Sequence, residues 1–374
     1  MQIINAYLEK HKERVVGLDI LRAVAILLVV YVHGANYIPG YFQKSYLMLY
    51  FNIDGVSIFF VLSGFLIGGI LLKIIKNSDF TKKDLLRFWI RRWFRTIPNY
   101  IFVLLTLIVF QQMMYKNLGP FQFNYFFFSQ NLITAHPKFF PEAWSLCIEE
   151  WFYLLFPLVA FLFHKLLKNK SKSILYSALI FLIIPFLLRI IKYEFSFGIQ
   201  DFDEAFRKIV IYRLDSLMYG IIAAYLFMHH RAMWTKYKFM ALFFGFAFIM
   251  LMYNNPANWI SFYTPLRFNY ESIGILLFLP FFSELKSTSF KFLDSFFIFI
   301  SIISYSMYLL NLTPIQGLLM PLSDNIIGIQ ALAKDETFVL HSVLFWFYTI
   351  LFSYLLYFLY ENRMTKLRDR IRIR

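Results

Sequence analysis

Apolar residues fall in long runs separated by short polar segments, and a run of about 17 to 25 residues is what a helix needs to cross the hydrocarbon core of a bilayer. Ten such runs are read, at approximately 16–36, 50–72, 96–114, 143–164, 173–191, 208–228, 239–253, 270–284, 292–313 and 337–360. The seventh and eighth are short, and 121–133 is apolar enough for a re-entrant or interfacial segment. The pattern predicts an all-α, polytopic integral membrane protein of about ten transmembrane helices. One domain is expected over 1–374, with a core at 16–361 and a basic tail at 362–374.

Composition agrees with the pattern. Sixty per cent of residues are hydrophobic, 48 are Phe and 25 are Tyr, and the mean hydropathy is +0.60. No polar tract is long enough for a separate soluble domain. A single cysteine, Cys147, excludes an intrachain disulfide and any multi-cysteine metal site, so no metal is expected.

The formal charge of +15 raises the question of a nucleic-acid partner. Placing both termini in the cytoplasm puts most of the 37 Lys and Arg residues on the inner side, notably at 73–95 and in the C-terminal tail. This asymmetry is what the positive-inside rule requires, and no nucleic acid is expected. The first run lacks the small-residue cleavage pattern of a signal peptide, so it is expected to stay in the protein.

Chemistry enters with the first run, GLDILRAVAILLVVYVH, where Arg22 and His33 are eleven residues apart. Three helical turns put them on one face, about 16 Å apart along the axis. An arginine in hydrocarbon needs a partner or a watered path, and histidine is the side chain suited to carry a proton near neutral pH. In the second run, Gly64 and Gly68 form a G-x-x-x-G pair, read as a close helix contact. Asp54 at its outer end either serves a site or faces water.

The loop 73–95 ends in RFWIRRWFRTIP, and Pro98 is expected to start the third span. On an interfacial helix, Arg87, Arg91 and Arg95 share one side with Arg92 beside them. Guanidinium forks suit phosphate oxygens, and anionic lipid explains such a cluster equally well as a phosphorylated cytosolic ligand. In the fourth run, Ser145, Glu149 and Tyr153 share a face while Glu150 points elsewhere. Cys147 has no neighbour that would activate it and reads as a packing residue. Arg213 and Asp215 in the sixth run, and Tyr305, Tyr308 and Asn311 in the ninth, complete the intramembrane polar set.

Alternating orientation puts His33, Glu149, Arg213, Asp215 and Asn311 in the outer part of the membrane. Arg22 with Arg91, Arg92 and Arg95 falls on the inner side. A polar path that binds anions at its inner mouth and carries a base further out suits either an enzyme or a transporter.

LDILRAVAILLVVYVH resembles the R-x10-H signature of the membrane acyltransferase-3 family. IFFVLSGFLIG, RRWFRTIP, WSLCIEEWFYLLFP, RLDSLMYG and SYSMYLLNLTP are similar to its further signatures, in the same order, over residues 16–361. The resemblance implies a ten-helix enzyme of the bacterial inner membrane that takes an acyl group, usually acetyl from cytosolic acetyl-CoA, to a hydroxyl of an extracytoplasmic polysaccharide or glycolipid. Arg22 and His33 match the family's essential pair, Arg92 and Arg95 its cytoplasmic R-x-x-R, and Glu149 the acid of its W-S-L-x-x-E stretch.

On that likeness, Arg92 and Arg95, with Arg91 assisting, hold the CoA phosphates and the pantetheine arm enters past Arg22. His33 acts as general base or accepts the acyl group itself, and Glu149 orients it. Arg213, Asp215, Tyr153 and Asn311 are the expected acceptor-side contacts. Two positions depart from the family pattern. Asn311 stands where many members carry histidine, which removes a second catalytic imidazole, and Glu361-Asn362-Arg363 stands where Glu-Lys-Pro is common. No soluble esterase-like domain is expected after Arg374.

The rival enzyme class is the membrane-bound O-acyltransferases, which also place histidine in an apolar helix. The rival without acyl chemistry is an exporter of polysaccharide or lipid-linked sugar. No obvious pair of Gly/Pro-broken spans repeats across the two halves, which counts against transport.

Overall fold

A computed structural model describes residues 14–37, 53–77, 79–116, 121–167, 170, 172–195, 203–253, 260–327 and 334–368. Among them the regular structure is helical throughout. The first helix, α1 (Val16–His33), continues into one 3-10 turn at Gly34–Tyr37, and α2 (Gly55–Asn77) follows. Next come α3 (Lys82–Tyr115), α4 (Ala143–Leu166) and α5 (Lys172–Phe195). Short turns at Asp203–Arg207 and Val210–Tyr212 lead to α6 (Asp215–His229), α7 (Arg231–Lys236) and α8 (Lys238–Tyr253). The chain continues through α9 (Ile260–Phe282) and α10 (Lys291–Leu310) into a π-helical segment (Asn311–Leu319) and α11 (Met320–Ile327). It ends in α12 (Lys334–Leu356), a π-helical turn (Tyr357–Glu361) and α13 (Asn362–Arg368).

Each of the ten apolar stretches carries a helix, and among the described residues seven helical runs are long and apolar enough to cross a membrane. They are α1, α2, α3, α4, α5, the run from α10 through α11 and the run from α12 through α13. The protein is an integral membrane protein. More than half of the apolar window is buried in α1, α2, α4 and the α10–α11 run, against less than a third in α3, α5 and the α12–α13 run. The first four therefore form the inside of the bundle, and the last three lie at its rim.

The structure moves several expected boundaries. The basic loop and the third span are one 34-residue helix, opened by a capping box between Thr81 and Asp84 and running straight through Pro98. Proline lacks the N–H that a helix interior uses, so an interior Pro frees backbone acceptors that need other donors. The N–H missing at Pro98 is the one that would reach the Phe94 carbonyl; two residues before the proline, the Thr96 carbonyl accepts from the Tyr305 hydroxyl at 2.8 Å. The sixth helix starts at Asp215 rather than near 208, because the preceding residues turn twice. α9 starts ten residues earlier than expected. The 121–133 stretch holds only a short 3-10 helix at Phe123–Phe127.

Among the described residues, α2 and α6 share the most extensive contact of any helix pair. A Cβ on Gly64 would lie 1.9 Å from the Leu217 carbonyl oxygen, and one on Gly220 would lie 1.9 Å from the Val61 carbonyl oxygen. Backbones approach this closely only where at least one side lacks a side chain, and here Gly64 and Gly220 face each other. The expected glycine contact is thus real, and its partner on α6 is Gly220. α1 lies against both α2 and α10, which brings its Arg22–His33 face to the centre of the bundle.

Candidate active site

A cavity of about 80 Å³ opens where α1, α2, α3, α4 and α10 meet. Helix α1 contributes Arg22, α3 contributes Arg92, Arg95 and Thr96, and α4 contributes Ser145, Glu149 and Tyr153. α10 adds Ser304, Tyr305 and Tyr308, while Val56, Phe59 and Leu66 of α2 supply the apolar wall. Helical spacing explains the convergence. Ser145, Glu149 and Tyr153 lie at steps of four on α4, and Arg92 and Arg95 at a step of three on α3.

Three guanidiniums with one carboxylate make the cavity strongly cationic, as a polyphosphate site requires. The Tyr153 hydroxyl donates to Glu149 Oε2 at 2.6 Å, and the Arg92 guanidinium lies 5.5 Å from the centre of the Tyr153 ring. Glu150 turns away, as its position on the helix demands, and accepts from Thr96 Oγ1 at 2.6 Å. Arg91 is exposed and does not line the cavity. Cys147 is fully buried.

His33 is half-buried at the C-terminal end of α1 and is not among the lining residues. Its Nδ1 meets Asn311 Oδ1. The Asn311 side-chain amide donates to the carbonyls of Met307 at 2.7 Å and Tyr308 at 3.0 Å, so its oxygen must be the atom that faces the ring. An acceptor there requires a proton on Nδ1, which leaves Nε2 with a free lone pair. The Gln316 amide donates to the His33 carbonyl at 2.7 Å.

Hydroxyl groups join the cavity to the corner that holds His33 and Asn311. Because the Glu142 carbonyl only accepts, Tyr308 donates to it at 2.9 Å, and Ser145 Oγ then donates to the Tyr308 oxygen at 2.6 Å. The Glu142 carboxylate holds Thr313 through its N–H at 2.9 Å and its hydroxyl at 2.6 Å. The N-terminal end of α4 is thereby tied to the π-helical segment that carries Asn311.

Arg213 and Asp215 lie elsewhere, fully buried among protein partners. Asp215 pairs with Arg189 at 2.6 Å and accepts from Asn269 at 3.1 Å. Arg213 donates to Ser57 at 2.6 Å and Ser216 at 2.9 Å, with Asp54 at 3.5 Å. Asp54 in turn pairs with Arg207 at 3.2 Å. Burial disfavours the charge on Arg207, yet Asp54 and Asp203 outweigh it and hold the guanidinium above its ordinary range. This network ties α2, α5, α6 and α9 together.

The cavity brings together the expected Arg22, Arg92, Arg95 and Glu149, and it holds Tyr153, expected on the acceptor side; His33 pairs with Asn311, while Glu149, expected to orient it, is bonded to Tyr153. Sequence reading missed Thr96 and Ser304, whose types carry no signal by themselves. It also missed the buried Asp19, which binds Arg14 at 2.5 Å and Ser301 at 2.6 Å. Among the described residues no group of three or more His, Cys, Asp or Glu residues is arranged to hold a metal ion.

The model of the acyltransferase-3 family, described as an acyltransferase domain, matches residues 15–358. The chain belongs to this family. Over 166 residues this acyltransferase-3 protein is 36% identical to the O-acetyltransferase OatA of Staphylococcus aureus, a match that covers 40% of the chain and 25% of that relative. It is 34% identical over 176 residues to the peptidoglycan O-acetyltransferase OatA of Listeria monocytogenes, covering 42% of the chain and 26% of the relative. A putative peptidoglycan O-acetyltransferase of Bacillus subtilis, YrhL, is 29% identical over 179 residues, covering 44% and 26%. The match thus spans about a quarter of the length of these curated relatives. No solved structure matches the acyltransferase-3 chain.

Proposed function

We propose that this protein moves an acyl group, acetyl in the first instance, from cytosolic acyl-CoA to a hydroxyl of an extracytoplasmic glycan. The observation that carries this reading is the cavity in which Arg22, Arg92 and Arg95 converge, with His33 on the same helix as Arg22 and about 16 Å further along it. The topology proposed with it has ten crossings, both termini in the cytoplasm and residence in the bacterial inner membrane. The names of the relatives make peptidoglycan the first acceptor to test.

Acyl-CoA supplies an activated thioester when bound. The cavity suits its phosphates: Arg92 and Arg95 offer guanidinium forks on the basic end of α3, and Arg22 lies deeper on α1. Arg91, exposed on the same helix, adds field rather than contact. Ser145 and Tyr308 mark the way from the cavity toward His33. At His33, Asn311 holds the proton on Nδ1, so Nε2 takes the proton of the acceptor hydroxyl as the new ester bond forms. The thioester C–S bond breaks, and the imidazolium returns that proton to the departing sulfur. Asn311 is a positioning residue in this scheme, a role the sequence pattern assigned to an acceptor contact.

The test separates binding from chemistry. His33→Gln in purified, lipid-reconstituted protein abolishes transfer of labelled acetyl to glycan and leaves CoA binding intact. Full turnover in His33→Gln removes this residue from the chemistry. Flux of a lipid-linked sugar without acyl-CoA, in the same vesicles, favours the exporter instead.

A further inference from the structure

Among the described residues Glu149 is the one carboxylate on the wall of the arginine cavity, and the Tyr153 hydroxyl fixes it there at 2.6 Å. The titratable and charged groups around it are Arg22 from α1, Arg92 and Arg95 from α3, Glu150 and Tyr153 from α4, and Tyr305 and Tyr308 from α10. α2 presents Ser63 and apolar side chains only. Glu150 is turned to Thr96, so Glu149 is the carboxylate that faces Arg22, Arg92 and Arg95 across the cavity. The hydrogen bond of His33, by contrast, goes to Asn311.

We infer that Glu149 is the resident counter-anion of the donor's phosphate site, and that binding of a CoA-type diphosphate ligand draws one proton onto its carboxyl group. The inference rests on the donor reading above. A carboxylate and phosphate oxygens cannot share so small a cavity while both are charged, because like charges at short range in a medium of low dielectric repel strongly. Protonated Glu149 stops competing for the guanidiniums and remains bonded to Tyr153. The proton comes from the cytosolic side with the donor and returns there when CoA leaves. Acyl transfer itself stays proton-neutral, since the acceptor's proton ends on the CoA sulfur.

Calorimetry of CoA binding to the full chain in lipid nanodiscs tests this, in buffers of different ionisation enthalpy at about pH 8, where the phosphates of CoA are already fully ionised. The wild type takes up close to one proton per CoA, and its affinity falls by up to about tenfold per pH unit as pH rises. Glu149→Gln takes up none, and its affinity does not vary with pH. Binding by the wild type without proton uptake overturns the inference, as does equal uptake by a folded Glu149→Gln protein. The wild-type count decides alone where the variant does not fold. Failure of well-folded wild type to bind CoA removes the donor site itself, and the inference with it.

Discussion

At the scale of single residues, the pair His33–Asn311 shows how one amide can set the chemistry of an imidazole. Asn311 donates both of its protons to carbonyls of its own helix, so only its oxygen is left for the ring. Replacing it by alanine frees the tautomer and the ring together. Asn311→Ala lowers kcat on the order of tenfold or more and leaves KM for acyl-CoA near its wild-type value, as a misheld general base does. An equal rise in KM with kcat unchanged contradicts a positioning role. Arg92→Ala and Arg95→Ala act on the opposite quantity. Each removes a charged hydrogen-bond donor worth about 1.5 to 3 kcal/mol, so each weakens CoA binding roughly 10- to 100-fold by direct titration. Arg91→Ala, exposed and off the cavity, changes it far less.

His136 gives a pH dependence of stability in the loop before α4. Burial, helped by Lys208, pushes its pKa down to about 4 despite the bond to the Pro137 carbonyl. The unfolded chain binds this proton below about 6.5, while the folded protein resists it until about 4. Stability contributed by neutral His136 is therefore present above the unfolded value and is lost as pH falls through that window. Melting temperature in detergent drops between pH 7 and 4.5, and His136→Gln reduces the drop. An unchanged drop in the variant assigns the acid sensitivity to other groups.

At the scale of elements, the α2–α6 crossing is the most demanding contact. Gly64→Ala and Gly220→Ala each drive a methyl group to 1.9 Å from a backbone oxygen that cannot yield without separating the helices. Each variant melts lower or fails to accumulate in the membrane, whereas Gly69→Ala, which meets nothing within 4 Å, is tolerated. Equal melting of the three variants contradicts the close crossing. The G-x-x-x-G spacing disclosed one side of this contact, but Gly220 lies in a separate run and nothing in the sequence links the two. Long apolar helices and the spacing of Arg22 and His33 were legible because both follow from helix periodicity. The fusion of the basic segment with α3 was not, since a proline usually ends a helix, and here it is kept inside one.

At the scale of the whole molecule, the inner helices α1, α2, α4 and α10 form the cavity together with the basic end of the rim helix α3, which brings Arg92, Arg95 and Thr96 to it. The buried network of Arg189, Asp215, Arg213, Asp54 and Glu271 was only half visible beforehand. Arg213 and Asp215 drew notice as charges in an apolar run, and an internal partner satisfies such charges as well as a ligand does. Orientation can be read through the single cysteine. In a Cys147→Ser background, Lys170→Cys reacts with a membrane-impermeant maleimide only after the cytoplasmic face is opened, and Lys138→Cys reacts from outside in intact cells. The reverse labelling contradicts cytoplasmic termini.

Acyl transfer itself is tested most directly by release of free CoA thiol from acetyl-CoA. The purified protein in lipid is given peptidoglycan or crude surface-glycan extract as acceptor, with wild type and His33→Ala side by side. An acyltransferase that uses His33 releases thiol only when the acceptor is present, and His33→Ala releases none above background. Absence of release from well-folded wild type, across several acyl-CoA donors and glycan extracts, contradicts acyl-CoA-dependent transfer by this chain.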